Sequence, residues 1–324
     1  AFARAGYARF FVVPEQAEPD GNFPTVRFPN PEEPGALDLA IALAEKEGAE
    51  LILANDPDAD RLAVCVPTAT GRFVQLSGNQ VGILLADLML QSALDAPRPA
   101  VFSSIVSSPM LGDVARAYGA HFEQTLTGFK WIWNAALDLE AAGGLRYCFG
   151  YEEALGYSVG RIVRDKDGVS AALLFADLAA ICRARKTSVL EHLHGLYRKH
   201  GLWVSVQKSV TCPGSEGLAK IVATMEALRR APPAQVGDTQ VTHVTDYREG
   251  ADQRPRWLAK TDLIALDLQD GGRILVRPSG TEPKLKIYVD LRAELGDDGV
   301  SAREEAERAR ASALADALAQ SLGL

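Results

Sequence analysis

Two short apolar runs, Leu51-Ile52-Leu53-Ala54 and Leu62-Ala63-Val64-Cys65-Val66, read as buried strands. Between them stands a polar insert, Asn55-Asp56-Pro57-Asp58-Ala59-Asp60-Arg61, with carboxylates at alternate positions. Upstream, Leu37, Leu39, Ile41 and Leu43 with alanines between them predict a helix that Gly48 ends. A helix feeding a buried strand is the grammar of an α/β fold. Residues 10–35, including Pro29-Asn30-Pro31-Glu32-Glu33-Pro34-Gly35, are too rich in Pro and Gly for a long helix or central strand and read as loop. Residues 78–95 read as a helix, which Ala96-Pro97-Arg98-Pro99 stops. Strand 100–105, helix 109–118, strand 121–126, helix 129–142 and strand 146–150 then alternate, which predicts a parallel sheet covered by helices on both faces. Helices 169–185 and 187–200 follow. On the second, His192 and His194 are two apart, do not share a face, and read as solvated. From about residue 203 the pattern changes: Val204, Val206, Lys208 and Val210 alternate with polar and small residues, and helix 215–230 ends at Pro232-Pro233. Strands near 239–246, 261–268, 272–277 and 285–292 precede a final helix over 300–321. The predicted fold class is α/β and multi-domain: doubly wound mixed α/β sheet domains followed by a C-terminal α+β domain.

Composition narrows the function classes. With 324 residues, 47% hydrophobic and 23% charged, the chain can bury a large core and divide into two or three domains. A formal charge of −8 argues against gripping a phosphate backbone, so nucleic acid is not an expected partner. No apolar run approaches a membrane span and no signal-peptide pattern opens the chain, so a membrane is not an expected partner either. Cys65, Cys148, Cys182 and Cys212 are far apart and suggest neither a zinc site nor a disulfide framework, which fits a reducing cytoplasm. The opening Ala1-Phe2-Ala3-Arg4-Ala5-Gly6, without Met, reads as part of something longer, starting inside a helix.

Chemistry is expected just beyond the strands, because open sheets of this class bind ligands outside their carboxyl ends. Asp56, Asp58 and Asp60 sit at such a position, and three oxygen donors suit a hard divalent ion such as Mg²⁺. An EF-hand reading fails, since its sixth position would be Arg61 and its twelfth Pro67. A nucleophilic Asp in an Asp56-x-Asp58 pattern, and a plain solvated turn, remain alternatives. Thr127-Gly128-Phe129-Lys130-Trp131 and Tyr151-Glu152-Glu153-Ala154-Leu155-Gly156-Tyr157 follow two other strands. Gly128 beside Lys130 suits an anion or sugar approaching backbone, and Glu152 with Glu153 can accept hydrogen bonds from sugar hydroxyls. Surface lysines and core tryptophans would account for the same residues. In the α+β part, Arg277-Pro278-Ser279-Gly280-Thr281-Glu282-Pro283-Lys284 has the fork, hydroxyls and glycine that a phosphate dianion needs, and spacing alone leaves a plain hairpin turn equally open.

Together these segments resemble the α-D-phosphohexomutase superfamily, which includes phosphoglucomutases, phosphomannomutases and phosphopentomutase relatives. Asp56-Pro57-Asp58-Ala59-Asp60-Arg61 looks like its Mg²⁺ loop, Thr127-Gly128-Phe129-Lys130 its phosphosugar loop, Tyr151-Glu152-Glu153-Ala154-Leu155-Gly156 its sugar-recognition loop, and Arg277-Pro278-Ser279-Gly280-Thr281-Glu282-Pro283 its phosphate clamp. The resemblance implies Mg²⁺ held by Asp56, Asp58 and Asp60, with Arg61 adding to the field. It implies sugar-phosphate contacts at Thr127, Gly128, Lys130, Glu152, Glu153, Arg164, Arg277, Ser279, Gly280 and Thr281. Lys166, in Arg164-Asp165-Lys166-Asp167-Gly168, would handle a proton, with a pKa depressed by burial among cations. The implied reaction interconverts hexose 1- and 6-phosphates of glucose or mannose through a phosphoserine and a sugar bisphosphate. Sugar phosphates and that bisphosphate are the implied partners, with a homodimer as a possible assembly. By the same resemblance residues 1–67 are the latter part of the family's second domain, 68–202 its third and 203–324 its fourth. The phosphoserine motif has no counterpart in this chain, so the fragment is expected to be inactive alone. Ala154, where many relatives carry Ser, and the Thr-Leu-Thr-Gly-Phe-Lys-Trp string point toward the phosphopentomutase and glucose-1,6-bisphosphate-forming branch. A non-catalytic sugar-phosphate-binding fragment is the remaining alternative.

Overall fold

The computed structural model describes residues 1–93, 98–280, 282–295 and 299–324. They divide into two units, Ala1–Ser104 with Leu111–Gly195, and Ile105–Met110 with Leu196–Leu324. The predicted class holds: α/β sheets come first and an α+β module follows.

In the first unit α1 (Asp38–Glu47) ends where Gly48 turns left-handed at φ 63° and returns its N–H to the Ala44 carbonyl. Strand β1 (Ile52–Asn55) then pairs antiparallel with β2 (Leu62–Pro67), and β2 with β3 (Phe73–Gln75). The apolar run in β2 is buried from Leu62 to Val66, as its unbroken hydrophobicity requires. Ser77 and Gln80 cap each other's backbone and start α2 (Gly78–Ser92). The sequence continues this helix to residue 95 and stops it at Ala96-Pro97; residues 94–97 lie outside the described residues.

The alternating region forms β4 (Pro99–Ser104), α3 (Met110–Ala117), β5 (His121–Thr125), α4 (Phe129–Gly143) and β6 (Arg146–Glu152), with β4 parallel to both β5 and β6. One strand of this region was not anticipated. β7 (Gly156–Val159) turns back antiparallel onto β6, giving the order β5-β4-β6-β7. It is only four residues long and begins on a glycine, so it carries no readable period. Helices α5 (Gly168–Ala184) and α6 (Val189–His200) follow.

His192 is not solvated, contrary to the sequence reading. Its Nε2 lies 3.3 Å from Oδ2 of Asp87, a residue of α2 that is 1% exposed. Tyr118 donates its hydroxyl to Asp87 Oδ1 at 2.7 Å and Gln91 its amide to Oδ2 at 2.6 Å. A buried carboxylate must collect donors, which Tyr118 and Gln91 supply, and the His192 ring set beside it comes from a helix far along the chain.

In the second unit β8 (Leu202–Thr211), α7 (Gly214–Arg230), β9 (Gln235–Val236), β10 (Thr239–Asp246), β11 (Ile264–Leu268), β12 (Arg273–Pro278), β13 (Lys284–Ala293) and α8 (Val300–Ser321) follow in order. The six strands form one antiparallel sheet in the order β8-β13-β12-β11-β10-β9. Ile274, Val276, Ile287 and Val289 pack with Leu314 and Leu318 of α8 and with Met225 and Leu228 of α7. On the other face Leu275 and Tyr288 pack with Ile105 and Val106, which is why that short segment belongs to this unit. Each such side chain, fully buried, stabilises the fold by about 1.5–3 kcal/mol. No helix among the described residues is long and apolar enough to cross a membrane.

Burial alone would raise the Asp87 carboxyl, but the His192 ring beside it and the hydrogen bonds from Tyr118 and Gln91 outweigh that and hold it below its ordinary value. The stability this cluster contributes is therefore present above the unfolded value, about 3.9, and is lost as pH falls through the folded one. Asp87→Asn is expected to lower the melting temperature at neutral pH and to flatten its decline in acid, which melts recorded through the acid range will show.

Candidate active site

Four backbone contacts and one side-chain hydrogen bond fix where the acidic insert lies. Ala59 takes a left-handed conformation at φ 56°, and its N–H returns to the Asp56 carbonyl at 2.9 Å. Asn55 donates its side-chain amide to the Arg61 carbonyl at 2.6 Å, closing the insert across its mouth. Arg61 then bridges antiparallel to Gly156, and Leu62 N–H reaches the Leu155 carbonyl at 3.0 Å. On the other side Gly168 N–H, at the start of α5, reaches the Ala59 carbonyl at 3.1 Å. A Cβ at Gly168 would stand 2.3 Å from the Arg61 carbonyl oxygen and 2.4 Å from Asn55 Nδ2, so only glycine permits this approach.

The charges on the insert are answered locally. Asp56 accepts from the Arg61 backbone N–H at 3.1 Å, and its Oδ2 is 3.4 Å from Arg61 Nε. Asp60 Oδ2 is 2.7 Å from the Lys166 ammonium, whereas its Oδ1 is buried without a hydrogen-bond partner. Asp58 is exposed. The three carboxylates are not drawn to one point: among the described residues no group of three or more His, Cys, Asp or Glu stands where it could hold a metal ion. Their donor chemistry nevertheless fits a hard divalent cation, since all are carboxylates of one short loop and one buried oxygen is unpaired.

Lys166 differs from the sequence expectation. Burial lowers its pKa, and Arg61 pushes the same way, but the hydrogen bond and charge of Asp60, with Asp165 behind it, prevail and raise it. In this arrangement Lys166 holds its proton. Its neighbour Arg164 is exposed and is not drawn into the cluster.

The sugar-type loops of this unit meet at Glu152, whose Oε1 accepts from the Gly128 N–H. Gly128 has φ 116° and is the N-cap of α4, so it has no side chain to cap the helix and is held through its own backbone N–H instead. Thr127 is half-buried beside it, while Lys130 is exposed with its ammonium 5.1 Å from the Trp131 ring centroid. Glu153 Oε2 accepts from Ser104 Oγ at 3.1 Å. Gly156 lies against Phe129, and a Cβ there would be 2.8 Å from the ring and 3.3 Å from Lys166 Cδ. Asn55, Ser104 and Gly168 were not singled out from sequence. Asn55 at a strand end beside the acidic insert was the one available signal.

In the second unit Arg277 sits in β12, and Ser279 N–H closes the β12–β13 turn onto the Lys284 carbonyl at 2.8 Å. Nothing lies within 4 Å of a Cβ built at Gly280. Thr281, named with them from sequence, lies outside the described residues.

Comparison with known proteins gives the class. Three successive parts of the phosphoglucomutase/phosphomannomutase family match: its alpha/beta/alpha domain II over residues 1–71, its alpha/beta/alpha domain III over 77–200 and its C-terminal domain over 243–295. The chain belongs to the α-D-phosphohexomutase superfamily. It is 43% identical over 293 residues to a probable phosphomannomutase of Haemophilus influenzae, covering 90% of this chain and 56% of that protein. To a probable phosphoribomutase of Schizosaccharomyces pombe it is 38% identical, covering 92% of this chain and 53% of that one. To the phosphopentomutase of Homo sapiens it is 38% identical, covering 88% and 49%. The crystal structure of parafusin, a phosphoglucomutase from Paramecium, shares the fold at a TM-score of 0.62 and 22% identity over 90% of this chain and 50% of that one. The chain thus spans about half the length of the curated relatives it matches.

Gly168→Ala is expected to destabilise the first unit by about 1–3 kcal/mol through overpacking against the Arg61 and Ala59 carbonyls. Urea unfolding measures it; an unchanged midpoint would show that the approach of α5 to the insert is not as close as described.

Proposed function

We propose that the whole protein is a phosphosugar mutase, interconverting glucose or mannose 1- and 6-phosphates by phosphoryl transfer through a sugar bisphosphate. The observation that carries this reading is the joining of three loops in the first unit: the Asp56–Arg61 insert, the Glu152–Gly156 loop and the Asp165–Gly168 segment are tied to one another through backbone hydrogen bonds. Phosphoryl transfer asks a protein for placement and charge rather than covalent help, and such a cluster of rigidly related loops provides both.

In this reading Glu152 and Glu153 orient the sugar by accepting from its hydroxyls. Glu152 is already fixed by the Gly128 N–H and Glu153 by Ser104, so little freedom is lost when substrate arrives. Lys166 carries a proton at Nζ and, so charged, donates to a sugar or phosphoryl oxygen; service as a base requires it first to leave Asp60. Arg277 and the Ser279–Gly280 turn hold the phosphate that is not being transferred. Asp56, Asp58 and Asp60 would hold Mg²⁺, which supplies positive charge against the negative charge developing on the phosphoryl group.

A second reading, a phosphopentomutase or phosphoribomutase, is favoured by the relatives of those names at 36–38% identity. Coupled assays of the full-length protein with glucose 1-phosphate, mannose 1-phosphate and ribose 1-phosphate separate the two. Turnover of none of them would overturn the mutase reading.

Asp58→Asn is expected to abolish Mg²⁺-dependent turnover of the full-length protein while shifting stability by no more than about 0.5 kcal/mol, since Asp58 is exposed. Retained activity would remove the metal assignment. Arg277→Ala is expected to weaken sugar-phosphate binding by about 2 kcal/mol, seen as a raised KM, through loss of a charge-assisted contact.

A further inference from the structure

Asp60 and Lys166 are carried by one backbone frame in the first unit. Asp60 follows Ala59, whose carbonyl accepts from Gly168 N–H at 3.1 Å, and precedes Arg61, which bridges to Gly156. Lys166 comes to the same frame from the other side. Asp167 N–H reaches the Tyr157 carbonyl at 2.8 Å, and Lys166 N–H is bonded to Asp165 Oδ1 at 2.7 Å. Its aliphatic stem runs beside Gly156, where a Cβ would stand 3.3 Å from Lys166 Cδ. With the chain held on both sides and the stem packed, the ammonium has little room to leave the carboxylate it meets.

The two oxygens of that carboxylate differ. Asp60 Oδ2 is 2.7 Å from Lys166 Nζ, whereas Oδ1 is buried and has no hydrogen-bond partner. A buried carboxylate oxygen left unpaired costs free energy, and a cation or a donor relieves that cost. Lys166 makes no hydrogen bond to Oδ1, and the Arg61 guanidinium is turned to Asp56 instead. One oxygen is thus held by an ammonium while the other is presented to an incoming ion.

We propose that Lys166 is a positioning residue for a metal ligand: by holding Asp60 Oδ2 it sets Oδ1 toward the divalent cation. The inference rests on the reading of Asp56, Asp58 and Asp60 as the residues that hold Mg²⁺, and extends it to a side chain outside the acidic insert. An ammonium near a divalent cation repels it, which by itself weakens binding. Asp165, 4.0 Å from the same ammonium, offsets part of that charge. The orienting effect runs the other way and is larger: outer partners of metal ligands commonly contribute roughly 10–100-fold to affinity. Asp60 is then the fixed ligand of the insert, and the exposed Asp58 is the one that closes onto the ion. An ammonium has three N–H donors, so Lys166 can keep Asp60 and still donate to a substrate oxygen.

Binding of Mn²⁺ to the full-length protein, followed through the electron paramagnetic resonance signal of the unbound ion, tests this without turnover. Lys166→Met keeps the stem and removes the donor, and is expected to weaken Mn²⁺ binding about tenfold. Its metal-free melting temperature is expected to fall by no more than about 3 °C, because a partly exposed ion pair contributes little. Lys166→Arg retains a charged donor and is expected to stay within about threefold of the native affinity. Mn²⁺ binding that is unchanged or tighter in Lys166→Met overturns the proposal, since the ammonium would then be a bystander or a competitor for Asp60. A tenfold loss shared by Lys166→Arg, or one that comes with a larger fall in melting temperature, overturns it too, as the mark of a lysine that only supports the fold. Asp60→Asn, measured in parallel, separates the two levels. Native Mn²⁺ affinity there breaks the metal reading itself, whereas a loss there and none in Lys166→Met breaks only this inference.

Discussion

The first unit depends on one close approach, the passage of the Gly168 backbone within hydrogen-bond reach of the Ala59 carbonyl. Everything chemical about the acidic insert follows from it. An acidic loop on a strand end could swing freely in water. Here its far side is tied to α5 and its exit to the Leu155–Gly156 backbone, so its carboxylates occupy set positions before any ligand is present. The same junction delivers Lys166, two residues before Gly168, to Asp60. Backbone contacts thus determine which side chains can meet, and the side chains supply charge to a geometry already set.

That geometry balances charge unevenly. Asp56 is occupied by Arg61 and one oxygen of Asp60 by Lys166, while the other Asp60 oxygen and the exposed Asp58 are left for incoming partners. A loop of three carboxylates without internal cations would repel itself, so Arg61 and Lys166 stabilise the shape. They are also the groups that a divalent cation would have to move aside or share.

Most of the fold was legible because it is periodic. The strand and helix pattern from residue 99 to 152 matches the sequence reading within a few residues, since each element buries one continuous stripe. β3, β7 and β9 were missed because strands of three, four and two residues carry no period. The site was legible as residue types, four short strings rich in carboxylate, glycine and cation, but not as pairs. The Lys166 ion pair and the burial of His192 on Asp87 both join residues far apart in the chain, and nothing local in either sequence segment specifies the partner. Lys166 shows the cost of that gap. The resemblance implied burial among cations, whereas the fold pairs it with Asp60, and the direction of its pKa is the opposite.

The second unit is assembled from two separated stretches, Ile105–Met110 and Leu196–Leu324, and Arg273 secures the first of them by donating to the Ser107 carbonyl at 2.7 Å. A chain made from its amino end exposes Ile105 and Val106 long before Leu263, Leu275 and Tyr288 exist to cover them. At about 5–20 residues per second, roughly 180 residues of further synthesis leave that apolar pair waiting for about 9–36 s. The first unit's sheet can form around β4 in that interval, with the segment beyond it still unclaimed. Completion of the second unit is therefore timed by the ribosome, and a chaperone that shields short apolar segments would have Ile105 and Val106 before it for that whole interval.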